Sequence, residues 1–416
     1  MVKILIVSNG HGEDLIAAHI TRQLRQLAPE NEYVVLPLVG EGHAYRNLGL
    51  PYGLAGQKLP SGGFLYMDGG QFLRDLKGGL LSLTWQQLQV LRRWARTGGK
   101  ILAVGDIVPL MMAWWSGADY AFVGTAKSDY YWRDEAGWLG GISPLDKYLG
   151  SVYYPWEQWL LARPQCRAVL VRDHLTQEGL ARRGIACENL GNPMMDGLSP
   201  RLDLEDFVCW PYFDPLKVVL LPGSRSPEAE NNWLLILAAL AGFHPSPLIA
   251  IGAIAPGLEL EKFTAVINPQ QWQSLDPQTL GSISHLDPHC LAWQNQRQLL
   301  ILSQKAYPES LHWAQAAIAL AGTACEQMVG LGKPVVTMTG GGPQFNALFA
   351  LRQTRLLGPA VSWVASPEQV AQTLRQILAD ETQKAAIAAQ GRHRLGPPGA
   401  SERIARRLLA VFDPGQ

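Results

Sequence analysis

The run Leu220-Leu221-Pro222-Gly223-Ser224-Arg225, read together with Ala321-Gly322-Thr323-Ala324-Cys325-Glu326 further along, decides the fold of this chain. The first run reads as a buried strand entering a tight Gly-Ser loop that ends in an arginine. The second reads as a small-residue loop opening a helix, with a carboxylate in its first turn. A helix N-terminus presents unpaired backbone N–H groups and the positive end of the helix dipole, which suits phosphate. A guanidinium forks onto two oxygens, so Arg225 is the candidate for a pyrophosphate, with the Ser224 hydroxyl as a further donor. Glu326 is placed to accept from the two vicinal hydroxyls of a ribose. Gly223, Ser224, Arg225, Gly322, Thr323 and Glu326 therefore describe a socket for a nucleotide diphosphate. The alternative is that both runs are packing turns.

Working outward, short apolar runs alternate with helix-like segments on both sides. Strands are expected over residues 3–7, 33–39, 101–104, 120–123 and 168–171, with a helix over 14–27. A second series has strands over 218–221, 248–251, 299–302, 317–321 and 335–338, then helices over 367–390 and 401–412. Such runs argue for doubly wound parallel sheets. Residues 193–215 are rich in Pro, Asp and aromatics and read as the interdomain connection. The expected class is α/β, with two Rossmann-like domains facing a cleft. Residues 1–205 form the acceptor domain and 206–395 the donor domain, and 396–416 form a helix that returns to the first. Ligands of such sheets bind beyond the carboxyl ends of the strands.

Composition narrows the function. The 416 residues are 47% hydrophobic and 17% charged, with 35 Lys+Arg against 35 Asp+Glu. A formal net charge of zero argues against a nucleic-acid partner, which calls for a basic excess. The five cysteines are widely spaced without a CxxC, which fits a reduced, cytoplasmic setting. The stretch Met1-Val2-Lys3-Ile4-Leu5-Ile6-Val7-Ser8 reads as a strand, too short for a signal peptide. No apolar run reaches the roughly 18 residues of a spanning helix. The expectation is a soluble protein or one resting on the inner membrane face.

Further candidates lie at strand ends. Ser8-Asn9-Gly10-His11-Gly12-Glu13-Asp14 lets backbone approach a ligand and lacks the GxGxxG pattern of dinucleotide enzymes. One of His11, Glu13 and Asp14 is a candidate general base; otherwise Asp14 merely caps the helix. Asp106, after the strand over 101–104, either deprotonates an acceptor hydroxyl or is a turn aspartate bonding its own backbone. Asn192, held extended before Pro193, either offers its amide to a ligand or belongs to an ordinary turn. Gln344 and Asn346, after the glycine run 340–342, suit sugar hydroxyls; otherwise they sit in a flexible loop. His285-Leu286-Asp287-Pro288-His289-Cys290 matches no common zinc spacing, and no metal is expected. Trp and Tyr crowd residues 114–159, and Leu81, Trp85, Leu88, Leu91 and Ala95 recur at helical spacing beside Arg92, Arg93 and Arg96. That helix either faces the core or rests in a membrane interface.

In this order the motifs resemble the lipid-A-disaccharide synthase family of bacterial glycosyltransferases. The resemblance rests on the loop over 8–14, Gly105-Asp106, Leu190-Gly191-Asn192-Pro193-Met194-Met195-Asp196, and LLPGSR followed by Glu228. It extends over AGTACE through Gly332-Lys333-Pro334-Val335-Val336 and over Gly399-Ala400-Ser401-Glu402-Arg403-Ile404-Ala405. Gln344-Phe345-Asn346-Ala347 also looks like the donor-sugar segment of the related peptidoglycan lipid-II glucosaminyltransferase. The resemblance implies a glycosyltransferase-B fold, a UDP-sugar as co-substrate with no other cofactor, inversion at the anomeric carbon, no metal, and a lipid acceptor at the cytoplasmic membrane surface. Departures fall in the N-terminal half. Gly10 stands where the family has a glutamate, and Asp106-Ile107-Val108-Pro109 replaces an aspartate followed by Ala-Pro-Asp.

The combined expectation is an inverting transfer from a UDP-sugar to a lipid or lipid-linked acceptor. Gly322, Thr323, Ser224 and Arg225 hold the pyrophosphate, and Glu326 the ribose. Asn192, Gln344 and Asn346 touch the donor, and Asp106 or His11 takes the acceptor proton. Two rivals stand beside it: a UDP-N-acetylglucosamine 2-epimerase, which needs no acceptor, and a non-catalytic lipid- or partner-binding relative. A homodimer is left open.

Overall fold

A computed structural model describes residues 1–40, 42–53, 80–211, 214–340 and 347–413. They form two compact units: Met1–Asp196 with Pro397–Gln416, and Gly197–Gly396.

The first unit holds five parallel strands: β1 (Lys3–Ser8), β2 (Glu32–Pro37), β3 (Lys100–Gly105), β4 (Tyr120–Gly124) and β5 (Cys166–Val171). Their order across the sheet is β2-β1-β3-β4-β5. Both faces are covered, which is why the strands read as continuous apolar runs. On one face Leu5, Val7, Ile101 and Ala103 pack with helices α2 (Leu80–Arg96), α3 (Ile107–Ser116) and α4 (Pro155–Leu161) through Leu91, Leu110 and Leu160. On the other, Ile4, Ile6, Leu102 and Val104 pack with Ile20 and Leu24 of α1 (His11–Leu27). Helix α1 begins at His11, three residues earlier than the expected start, with Gly10 as its N-cap at φ 124°.

The second unit carries β6 (Leu216–Leu221), β7 (Leu248–Ala253), β8 (Gln273–Leu275), β9 (Leu291–Asn295), β10 (Gln298–Ser303), β11 (Ala316–Ala319), β12 (Val335–Met338) and β13 (Val361–Val364). The sheet order is β8-β9-β10-β7-β6-β11-β12-β13, antiparallel only at β8–β9 and β9–β10. Its helices include α5 (Glu228–Leu240), α6 (Thr323–Gly330), α7 (Ala347–Leu357), α8 (Glu368–Ala379) and α9 (Glu381–Leu395). The single helix expected over 367–390 is thus two, split at Asp380, whose carboxylate caps the second by accepting from Gln383 N at 2.9 Å.

The last helix, α10 (Ala400–Phe412), belongs to the first unit and buries Ile404, Ala405, Leu408 and Phe412 against the α1 face. Asp196 anchors its start, accepting from Gly399 N at 2.6 Å and Ser401 N at 2.7 Å. Among the described residues no helix is long and apolar enough to cross a membrane.

Candidate active site

In the second unit the six parallel strands run β10-β7-β6-β11-β12-β13, so the chain order reverses between β6 and β11. Ligands of open α/β sheets bind outside the carboxyl ends of the strands at such a reversal. The Pro222–Arg225 loop leaves β6 there, and Ala321-Gly322-Thr323 leaves β11 beside it. Gly223 sits at φ 107°, and a Cβ on it would lie 3.4 Å from the Leu320 carbonyl oxygen of the neighbouring loop. The positive φ calls for glycine at this position, and the neighbouring loop lies at van der Waals distance.

Two buried amides tie these loops. Asn232, 1% exposed on α5, donates Nδ2 to Pro222 O at 3.0 Å and Leu320 O at 3.3 Å. Gln353 of α7 donates Nε2 to Ala321 O at 2.9 Å and Gly322 O at 3.2 Å. Thr323 opens α6, and Glu326 lies in its first turn, 8% exposed. Ser224 is exposed and Arg225 half-buried, and the Arg225 carbonyl accepts from Ala229 N at 2.8 Å as α5 begins. Gly223, Ser224, Arg225, Gly322, Thr323 and Glu326 are therefore all brought to one switch point. Gln344 and Asn346 lie outside the described residues.

The first unit has its own reversal, between β1 and β3. At their carboxyl ends stand Asn9, Gly10, Glu13 and Asp14 on one side and Gly105-Asp106 on the other. Asp106 caps α3: Oδ1 accepts from Val108 N at 2.9 Å and from Asn9 Nδ2 at 3.0 Å. Its carboxyl titrates above the ordinary range because burial disfavours the anion, against those hydrogen bonds and the nearby Lys127 charge. Lys127 in turn donates to Glu157 Oε2 at 2.5 Å and Val152 O at 3.2 Å. Glu13 folds over the two glycines: a Cβ on Gly10 would lie 3.3 Å from Glu13 Oε2, and one on Gly105 3.3 Å from Glu13 Cγ.

Asp14 does not cap α1. It is 1% exposed, and its Oδ1 accepts from Ser8 Oγ at 2.5 Å, which in turn lies 2.6 Å from the buried Tyr45 hydroxyl. Burial pushes the Asp14 carboxyl up to about 7, opposed by the Ser8 hydrogen bond and aided by the Glu13 charge. Its Oδ2 is buried without a partner among the described residues. His11 begins α1 by its backbone, and its side chain lies outside the described residues. Asn192 is 3% exposed, with Oδ1 accepting from Met194 N at 3.0 Å, so its amide oxygen serves a one-turn helix over Pro193–Met195. Asp287 of the His-Asp-His run is occupied within the fold, accepting from Ser303 Oγ at 2.9 Å and Gln304 N at 2.7 Å.

Sequence reasoning passed over Asn232, Gln353, Tyr45 and the Asn9–Asp106 contact. Asn232 carried a usable signal: a lone amide in the buried helix stripe of Ala229, Trp233 and Ile236. Tyr45 and the Asn9 contact carried none, because only folding brings those partners together.

No protein-family model matches the chain, and no curated protein matches its sequence. Solved structures resemble it over nearly the whole length. CalG4, the calicheamicin glycosyltransferase, superposes with a TM-score of 0.57 at 13% identity, covering 99% of this chain and 98% of that one. Acinetobacter baumannii MurG gives 0.54 at 12% identity, with 98% and 99% covered. The Neisseria meningitidis UDP-GlcNAc 2-epimerase bound to UDP-GlcNAc gives 0.53 at 14%, with 98% and 100% covered. The chain thus has the α/β fold of glycosyltransferase-B type enzymes, built from two Rossmann-like units.

Proposed function

We propose that this protein is an inverting glycosyltransferase related to lipid-A-disaccharide synthase. It moves a sugar from a UDP-sugar to a lipid or lipid-linked acceptor at the cytoplasmic membrane face. The observation that carries the donor half is the meeting of the Pro222–Arg225 and Ala321–Thr323 loops at the β6/β11 reversal, with Glu326 behind them. Backbone N–H groups at Gly322 and Thr323, with Ser224 and Arg225, hold the pyrophosphate and stabilise the charge that develops on departing UDP. Glu326 takes the ribose hydroxyls. Gln344 and Asn346 contact the donor sugar, and Asn192 contributes through its amide nitrogen.

For the acceptor half, Asp106 takes the proton of the attacking hydroxyl, with His11 as the other candidate. The Asn9 and Val108 donors both fall on Asp106 Oδ1, and we assign Oδ2 to the acceptor hydroxyl. A carboxyl raised by burial is a better proton acceptor than an ordinary aspartate. The reaction uses the UDP-sugar as co-substrate and no metal.

A second reading, a UDP-N-acetylglucosamine 2-epimerase, is favoured by the equally close fold match to an enzyme of that description. The separating experiment incubates the protein with UDP-sugars, alone and with membrane lipid extract. UDP release that requires the extract supports the transferase. Conversion of the sugar nucleotide without any acceptor supports the epimerase.

A further inference from the structure

Strands β3 and β4 end side by side, with Gly105 in register with Gly124 and Thr125 N donating to Gly105 O at 3.1 Å. One exit loop carries Asp106, and the other, just past Gly124, carries Lys127. Lys127 is held from several sides. Its Nζ donates to Glu157 Oε2 at 2.5 Å and to Val152 O at 3.2 Å. It also lies 5.7 Å from the ring centroid of Tyr153 and 5.0 Å from that of Tyr154. Glu157 is fixed in turn: it is 1% exposed, and the same Oε2 accepts from Tyr154 N at 3.0 Å in the first turn of α4. Tyr153 is buried, and a Cβ on Gly124 would run into its hydroxyl, so the clamp packs directly on the end of β4.

A buried ion pair gains little stability over apolar residues of the same size. What this one supplies is a cation that stays in one place, 16% exposed and therefore weakly screened. The other groups around Asp106 do not replace it. Helix α3 has no ionisable side chain. Helix α1 contributes Glu13, folded over Gly105, and Asp14, hydrogen-bonded to Ser8; His11 precedes them with its side chain outside the described residues. Asp129 is buried against Arg133 at 2.9 Å. At the end of β5, Arg172 donates to Thr125 O at 2.7 Å. Lys127 is the cation that bears most on Asp106. Burial pulls the Asp106 carboxyl toward the neutral acid, and the Val108 and Asn9 hydrogen bonds and the Lys127 charge oppose it. A neutral acid cannot take a proton.

We propose that Lys127 is a positioning residue of the transfer reaction: clamped by Glu157, it holds a fixed positive charge at the strand end next to Asp106 and keeps that carboxylate ionised to receive the acceptor proton. The inference rests on the reading of Asp106 as the proton acceptor. It adds a residue from a different strand, which acts through Asp106 rather than on either substrate.

The test reads Asp106 directly and needs no substrate. Aspartate carboxyl carbons are isotope-labelled and titrated by NMR, with the Asp106 signal assigned by its loss in Asp106→Asn. In Lys127→Met the Asp106 midpoint should move to higher pH than in the parent. That variant leaves Glu157 buried without its partner, so Lys127→Met/Glu157→Gln, which removes both charges, is measured beside it and should shift in the same direction. Lys127→Arg keeps the charge and should return the midpoint toward the parent value. Turnover, read as UDP release from UDP-sugars with membrane lipid extract, should follow: Lys127→Met loses several-fold more at mildly acid pH than at alkaline pH. An unchanged Asp106 midpoint in the double variant overturns the proposal, and so does a loss of turnover equal at every pH. The two failures are distinguishable. A midpoint that moves while turnover keeps its pH profile strikes the reading of Asp106, and with it the part of Lys127 in the reaction. An unmoved midpoint strikes Lys127 alone.

Discussion

The Ser8 hydroxyl donates to Oδ1 of Asp14 across 2.5 Å, in a site where Asp14 is 1% exposed. With a folded-state value of about 7 against an ordinary 3.8, the folded chain keeps a proton that the unfolded chain releases. Stability is greatest below about pH 4 as far as this group is concerned, and falls as pH rises from there through about 7. Asp14→Asn keeps an acceptor for Ser8 and cannot ionise. Urea unfolding between pH 5 and 8 should show the wild type losing a few kcal/mol, at most ~3, and the variant losing less. Equal slopes would remove Asp14 as the source.

Asn232 holds the loops after β6 and β11 together through one buried amide nitrogen, donated to Pro222 O and Leu320 O. Asn232→Leu removes the donor from two buried carbonyls, at a cost of about 1–3 kcal/mol. The melting temperature should drop, and affinity for UDP should fall with it, because the loops lose their common tether. A variant that melts lower yet binds UDP normally would confine Asn232 to stability.

Asp106→Asn tests the proton acceptor. Asparagine caps helices as well as aspartate does, so the start of α3 and the fold should persist. Turnover should drop about 10²–10⁴-fold, while UDP affinity stays within error. Normal turnover would exclude Asp106 and turn attention to His11.

Gly105 stands at φ 134°, where a Cβ would press at 3.3 Å on both Glu13 Cγ and Pro109 Cγ. Gly105→Ala therefore combines backbone strain of about 1–3 kcal/mol with displacement of Glu13. The expected result is a lower melting temperature and loss of turnover beyond what the lost stability explains. An alanine variant as stable and active as the parent would contradict this geometry.

The fold class was legible because strands buried on both faces read as plain apolar runs, as in Ile4-Leu5-Ile6 and Val218-Val219-Leu220. The antiparallel extension β8–β9 was not. Gln273, Gln294 and Asn295 interrupt any apolar run; β9 is held instead by its register with β10, and β8 by its register with β9. The break between α8 and α9 was hidden for the opposite reason: helix-forming residues flank Asp380 on both sides, and only its cap to Gln383 marks the boundary. The loops after β6 and β11 could be read because each is a local strand-to-helix turn. The carboxylate cluster could not be assembled, since Asn9 meets Asp106 and Ser8 meets Tyr45 only through tertiary structure. Asn192 shows the limit of local reading. The extended backbone expected before proline is present at φ −102° and ψ 114°, but the side-chain oxygen turns inward to Met194 N.

Calorimetric titration with UDP, with ADP as control, addresses the donor socket most directly. UDP should bind selectively over ADP, and Glu326→Ala should weaken it at least about tenfold, the loss of one or two charge-assisted hydrogen bonds to the ribose. Binding of neither nucleotide, or unchanged UDP affinity in a folded Glu326→Ala variant, would contradict the account.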